Sequence, residues 1–409
     1  MLSNRLSRKY VPLLLIVLVI LACRQLPGQD AAQHLKPLID PAVATKADGK
    51  VRPGEIDGTT EAYLPIAFPS SHAANLLQLR NGDVLCVWFA GSWEGESGVG
   101  IVISKLKKGS TTWSATRLID NHTGESYQNP VIFQAPNGDV HLFHTTQGAG
   151  AGEANAHVLH VISKDGGDHW SQPKLLFEKP GSFTRHPLLV LADGSWVLPL
   201  TYVTSFGIGK GAETNYSSVK ISKDSGTTWS ECLIPDSGGK VQPSIVRGKT
   251  GFVMFLRDRA SAHIYRSTST DACHWSPPAP TVLPNNNASV QAYRLKDGAI
   301  AIAFDNSAID RSGPRPTGGL RKPLSVALSP DDGVTWTAVR DVEVGRTGYG
   351  LAERNAKQPG REEYSYPSIL QLADGPLMVA YTYRRQTIKV VTFPEDWVKK
   401  GHSTGLYTR

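Results

Sequence analysis

Three stretches decide the reading of this chain: Ser163-Lys164-Asp165-Gly166-Gly167-Asp168-His169-Trp170, Ser222-Lys223-Asp224-Ser225-Gly226-Thr227-Thr228-Trp229 and Ser329-Pro330-Asp331-Asp332-Gly333-Val334-Thr335-Trp336. All three fit Ser-x-Asp-x-Gly-x-x-Trp. The pattern is that of a hairpin turn, in which Asp bonds amides of its own loop, Gly supplies a positive φ and Trp packs back onto the sheet. Altered copies stand at Ser269 to Trp275, one residue short, and at Ser104 to Trp113, two residues long. A second series of turns is offset from the first, at Asn81-Gly82, Asn137-Gly138, Asp193-Gly194, Lys249-Thr250-Gly251, Asp297-Gly298 and Asp374-Gly375. Its steps are about 56, 56, 56, 48 and 77 residues, room for four short strands each. The spacing predicts an all-β chain of six sheets.

Composition agrees. The 409 residues are 40% apolar and 19% charged, with 39 Gly and 27 Pro, which excludes a disordered chain, a collagen and a multi-span membrane protein. The four cysteines, Cys23, Cys86, Cys232 and Cys273, lack the paired spacing of a zinc site, and no disulfide framework is expected from them. No His, Asp and Glu set has ligand-like spacing either, so neither metal nor cofactor is expected. Part of the net charge of +7 belongs to Arg5, Arg8, Lys9 and Arg24. The remainder is only mildly basic, which argues against nucleic acid as a partner and leaves an anionic small substrate open.

Residues 1–23 read as a signal peptide: a basic start runs into the apolar stretch Val11 to Ala22, too short for a comfortable membrane span. Ile20-Leu21-Ala22-Cys23 resembles the bacterial lipobox, although Leu21 is bulkier than that motif usually carries. It implies export, with a lipid anchor at Cys23 as the only membrane contact. Residues 24–60 mix Pro, Gly, Asp and Lys without periodicity and are expected to be a flexible tether. The sheets are expected over 61–395, with a strand near Tyr63 to Phe68 completing the last one, and 396–409 as a C-terminal tail.

The hairpin stretches form the Asp-box pattern. From about Ala62 to Phe393 the chain therefore resembles the BNR-repeat (Asp-box) sialidase-like family of the exo-alpha-sialidase superfamily, and the resemblance implies a six-bladed β-propeller with its site on the axis. Sialidases of this fold hold the sugar carboxylate with three arginines, attack with a tyrosine activated by a glutamate, and protonate the leaving group with an aspartic acid. Tyr366, in Tyr366-Pro367-Ser368-Ile369, is similar to the nucleophile; a neutral phenol approaches an anionic sugar without the repulsion a carboxylate would meet. Arg321, leading into the last full Asp-box, and Arg257, ending Gly251-Phe252-Val253-Met254-Phe255-Leu256-Arg257, look like two of the arginines, and a guanidinium fork matches a carboxylate.

The departures are equally specific. His72 stands where the family has its first arginine, and Gln242 stands where it has the activating glutamate; an amide does not take the phenolic proton, so His72 is the candidate base if it reaches Tyr366 across the axis. Glu94 or Glu96 offers a carboxylate where the acid aspartate would lie. Arg185, with His186, opens the third inner strand, where it either contacts substrate or bonds loop carbonyls structurally. Asn129 is expected to cap the second inner strand, at most one of Tyr293 and Arg294 to face the axis, and Tyr364 to share the face of Tyr366.

These residues imply an exported glycosidase that releases a terminal acidic sugar, sialic acid or similar, by a retaining mechanism. Two alternatives remain open: a polysaccharide lyase or uronate-directed glycosidase in which His72 and Tyr366 remove a proton beside a neutralised carboxylate, and a glycan-binding propeller without turnover.

Overall fold

The computed structural model describes residues 39–204, 211–313, 317–345 and 362–408. The expected signal peptide, Cys23 and the first part of the expected tether lie outside the described residues.

Every turn of the offset series joins an innermost strand to the next one out, and the sheets they generate are the six blades of a β-propeller. Blade one runs Ser70–Gln78, Val84–Gly91, Gly100–Leu106 and Arg117–Asp120, all antiparallel. Blade two follows from Glu125–Gln134 to Lys174–Phe177, and blade four from Lys240–Arg247 to Ala279–Pro284. In blade three the innermost strand is interrupted: Ser182–Phe183 and Leu189–Val190 pair with Trp196–Tyr202 on either side of Arg185-His186-Pro187. Blade five comprises Gln291–Arg294, Ile300–Asp305, Leu324–Ser329 and Ala338–Glu343.

Blade six closes the ring. Its strands Tyr364–Gln371, Leu377–Tyr383 and Thr387–Phe393 are completed by Thr60–Tyr63 from the other end of the chain. The closing strand thus comes just before the expected stretch, because Pro65 and Pro69 cannot donate to a ladder. Residues 39–60, expected as tether, are ordered as well, with Arg52–Pro53 paired to the closing strand and Gly49 bonded to Tyr63. The tail also folds back: Trp397 is buried, and Asp341 of blade five accepts from Ser403 and Thr404.

An apolar cluster fills each seam between neighbouring blades. The Asp-boxes stitch these seams. In the second blade's copy, Asp165 takes the amides of Asp168 and His169 while Trp170 donates to Gly167. The shortened copy at Ser269 to Trp275 keeps the same bonds. Trp229, Trp275 and Trp336 each lie in the cluster shared with the preceding blade. Gly333 could carry no side chain, since its φ is +81° and a Cβ there would stand 2.4 Å from Phe255.

A disulfide joins Cys232, on the outer strand of blade three, to Cys273 in the hairpin of blade four. The expectation of no framework missed it because 41 residues separate two cysteines that only the ring makes neighbours.

One irregularity recurs on the innermost strands. Register breaks fall at His72/Asn75, Gln128/Val131, Val241/Ser244 and Ser365/Ser368. Inside them Ala73, Asn129, Gln242 and Tyr366 have left-handed φ of 61°, 49°, 53° and 55°. Three of the four precede a proline, which has no N–H to return to the ladder. These are β-bulges, the usual means of re-aiming a strand side chain. Asn129 is therefore a bulged residue within its strand, not a cap.

Candidate active site

The bulge at Tyr366 separates it from Tyr364. Tyr364 packs on Tyr383, ring centroids 5.2 Å apart, in the seam between blades five and six, so the two tyrosines do not share a face. Tyr366 instead meets residues from four other blades. Its Oη accepts from Nη1 of Arg257 at 2.5 Å. The Arg257 and Arg321 guanidinium carbons lie 5.6 and 5.2 Å from its ring centre. Burial drives the phenol toward higher pKa, but the charges of Arg257 and then Arg321 outweigh it and hold Tyr366 below the ordinary tyrosine value. Two arginines expected from sequence and the expected tyrosine thus share one centre.

Gln242 is present but is not a base. Its carbonyl oxygen accepts from Arg257 Nη1 at 3.0 Å, and Asn287 takes Arg257 Nε at 2.8 Å, so the amides fix the guanidinium that touches the phenol. Burial lowers Arg257 to about 10.

His72 is sealed, with no exposed surface. Its ring lies 4.2 Å from the Tyr366 ring, Nδ1 contacts the Thr382 hydroxyl at 2.7 Å, and Nε2 has no protein partner. Burial and then the Arg385 charge hold its pKa well below the usual imidazole value, so it is neutral. A ring packed against the tyrosine, with Nδ1 on Thr382 and no hydrogen bond from either nitrogen to the phenol, supports the phenol's position rather than abstracting its proton.

Of the two readings of Arg185, its contacts are those of the structural one. It lies buried beneath the tyrosine, 5.3 Å from the ring centre, and donates to the main-chain oxygens of Ala74, Tyr366 and Pro367. It braces the bulge. His186 bonds Ser289 nearby. Arg294 points away, paired with Asp332 and bonded to Arg247, and Tyr293 packs in the outer seams, so neither joins the centre.

The chain matches the profile of the BNR repeat-like domain over residues 82–379, well over half its length. It belongs to that family. No curated protein sequence matches the chain. Among solved structures, it is similar to the Hadza microbial sialidase Hz136 at 15% identity, covering 81% of this chain and 67% of that one, with a TM-score of 0.64. The intramolecular trans-sialidase from Ruminococcus gnavus, in complex with oseltamivir carboxylate, is 17% identical over 82% of this chain and 97% of its own, TM-score 0.63. The NanB sialidase from Streptococcus pneumoniae is 15% identical, with coverages of 85% and 71% and a TM-score of 0.64. At such identities the likeness is one of fold.

In this BNR repeat-like chain two site residues escape sequence reasoning. Glu363, immediately before the innermost strand of blade six, is fully buried. One of its oxygens accepts from Arg321 Nη1 at 2.5 Å, from Arg385 Nε at 3.0 Å and from Ser365 at 2.8 Å. Arg385 sits in the turn between Tyr383 and Thr387, and its Nη1 reaches Glu94 at 2.6 Å. The available signal was the pair Arg384-Arg385 in a hairpin turn of the blade that carries Tyr366, at the opposite end of its sheet from Asp374-Gly375. Glu94 is placed at the rim, its side chain 31% exposed. Glu96, in the same loop, is half-buried, and its amide bonds back to Trp93. Arg257 and Arg321 thus set positive charge against the phenol, and Glu363 and Arg385 link Arg321 to the partly exposed Glu94.

Proposed function

We propose that the protein is an exported glycosidase that releases a terminal acidic sugar, sialic acid or similar, from glycans with retention of configuration. The observation that carries this reading is the Arg257–Tyr366 contact at 2.5 Å with Arg321 on the same ring. Guanidinium groups that bind a carboxylate also stabilise the ionised phenol, so Tyr366 attacks the anomeric carbon without a glutamate at position 242. Glu94 protonates the leaving oxygen. Export with a lipid anchor at Cys23 is part of the same proposal, and the Cys232–Cys273 disulfide supports an oxidising compartment.

The burial of His72 and its contacts with Thr382 and Tyr366 favour hydrolysis over β-elimination, which needs a base open to the substrate. The experiment is release of 4-methylumbelliferone from a sialoside by the wild-type chain and by Tyr366→Phe. Turnover is expected to fall by at least about 1,000-fold in the variant, the scale of losing a covalent catalyst. Binding of sialosides with no turnover by the wild type would favour a glycan-binding propeller, and growth of ultraviolet absorbance with a uronate polymer would favour a lyase.

A further inference from the structure

Arg385 is held in an unusual way. It and Arg384 have φ of 59° and 55°, a region bulky residues rarely occupy, and its carbonyl is fixed by the amide of Ser71 from blade one. Its guanidinium has two carboxylate partners of different character. Glu363 is sealed, and one of its oxygens also accepts from Arg321, so the two guanidiniums converge on one atom. Glu94 is partly in solvent, its side chain 31% exposed, so water can take over the hydrogen bond it gives up, an exchange closed to the sealed Glu363. The inner contact is a fixed brace, whereas the outer one is exchangeable.

Resting on the glycosidase reading above, we propose that Arg385 exchanges partners during the reaction: the sugar carboxylate displaces Glu94 from Arg385 Nη1, and the freed Glu94 becomes the acid. Arg385 thereby supplies, from a hairpin turn of blade six, the cation absent at His72. An incoming carboxylate outcompetes Glu94 because Arg321 stands beside Arg385 on the shared Glu363 oxygen, and Arg257 lies across the tyrosine ring. Tyr366 gives its phenolic proton up to solvent and the released Glu94 takes one up from solvent, so the pair gains no net charge. As the ionised Tyr366 oxygen forms its bond to the anomeric carbon, the glycosidic bond breaks, and the Glu94 proton goes to the departing oxygen, which leaves as the alcohol. Binding of the correct anion and arming of the acid are one event.

The test is calorimetric binding of free N-acetylneuraminic acid to four chains: wild type, Glu94→Gln, Arg385→Gln and the double variant, with Arg385→Lys as a fifth that retains the charge. Competition predicts that Glu94→Gln tightens binding by about three- to tenfold, that Arg385→Gln weakens it at least tenfold, and that Glu94→Gln has no effect once Arg385 is gone. Arg385→Lys should recover part of the affinity. On turnover, Glu94→Gln should slow a sialyllactose far more than a 4-methylumbelliferyl sialoside, whose leaving group needs less protonation. Unchanged or weakened binding in Glu94→Gln, or equal affinity in Arg385→Gln and wild type, overturns the exchange while leaving the glycosidase reading intact. A wild-type chain that neither binds the sugar nor cleaves the sialosides overturns both.

Discussion

Tyr366 is the residue on which the proposed chemistry turns, and its environment makes a pH prediction. Because Arg257 and Arg321 hold the phenol below its usual value of about 10, kcat/KM for a 4-methylumbelliferyl sialoside, whose leaving group needs little help from Glu94, should rise with pH and level off below that value, as measured in a steady-state pH series. Arg257→Gln should move the plateau upward, since the charge that favours the ionised form is removed. Much of this centre was legible: Tyr366, Arg257 and Arg321 sit in strand and Asp-box contexts that survive in the sequence. Gln242 and His72 were legible as departures, but their contacts were not. Arg385 and Glu363 were hidden because their meaning depends on which residues the ring brings together, as with Arg385 and Glu94, which lie 291 positions apart. Arg185 was legible only as a pair of alternatives. A buried arginine beside an anion site and a buried arginine bracing a bulge look alike until the carbonyls of Ala74, Tyr366 and Pro367 are seen.

Hairpins and strands were more readable than side-chain contacts, since Asp-box bonding is local. The six turns between innermost and second strands predicted the blade count without tertiary information. The Cys232–Cys273 link was unreadable, being a contact between adjacent blades. It ties the outer strand of blade three to the neighbouring hairpin, and the Cys232→Ser variant should lose about 2 to 4 kcal/mol of unfolding free energy in urea titrations, the usual range for a native disulfide. Added reductant should lower the wild type to the level of the variant and leave the variant unchanged.

The ring as a whole is closed by the strand Thr60–Tyr63, and a buried cation secures that closure. Lys389 of blade six reaches Glu61 of the closing strand at 3.1 Å and Glu343 of blade five at 2.9 Å. Burial opposes its charge, but the two carboxylates raise its pKa above the usual lysine value. Lys389→Met leaves both carboxylates without their buried partner and should cost about 3 to 5 kcal/mol, seen as a lower melting temperature and earlier proteolysis before residue 64. Acid sensitivity belongs to the whole molecule too. His160, hydrogen-bonded to His141 at 2.9 Å in the seam between blades two and three, is pushed by burial to about 3. An unfolded imidazole titrates near about 6.5, so the stability this residue lends is complete above that pH and is lost as the pH falls toward 3. The loss should be on the order of 3 kcal/mol in unfolding measured between pH 7 and 4, and His160→Phe should flatten it. The bulges on four innermost strands have one more consequence. At Asn129, Gln242 and Tyr366 a proline follows the bulged residue and the ladder resumes beyond it, so each is a socket whose occupant can be exchanged while the wall around it stands. Replacing Gln242 by another side chain should therefore redirect reactivity without disturbing assembly, which makes this propeller a mount for interchangeable chemistries.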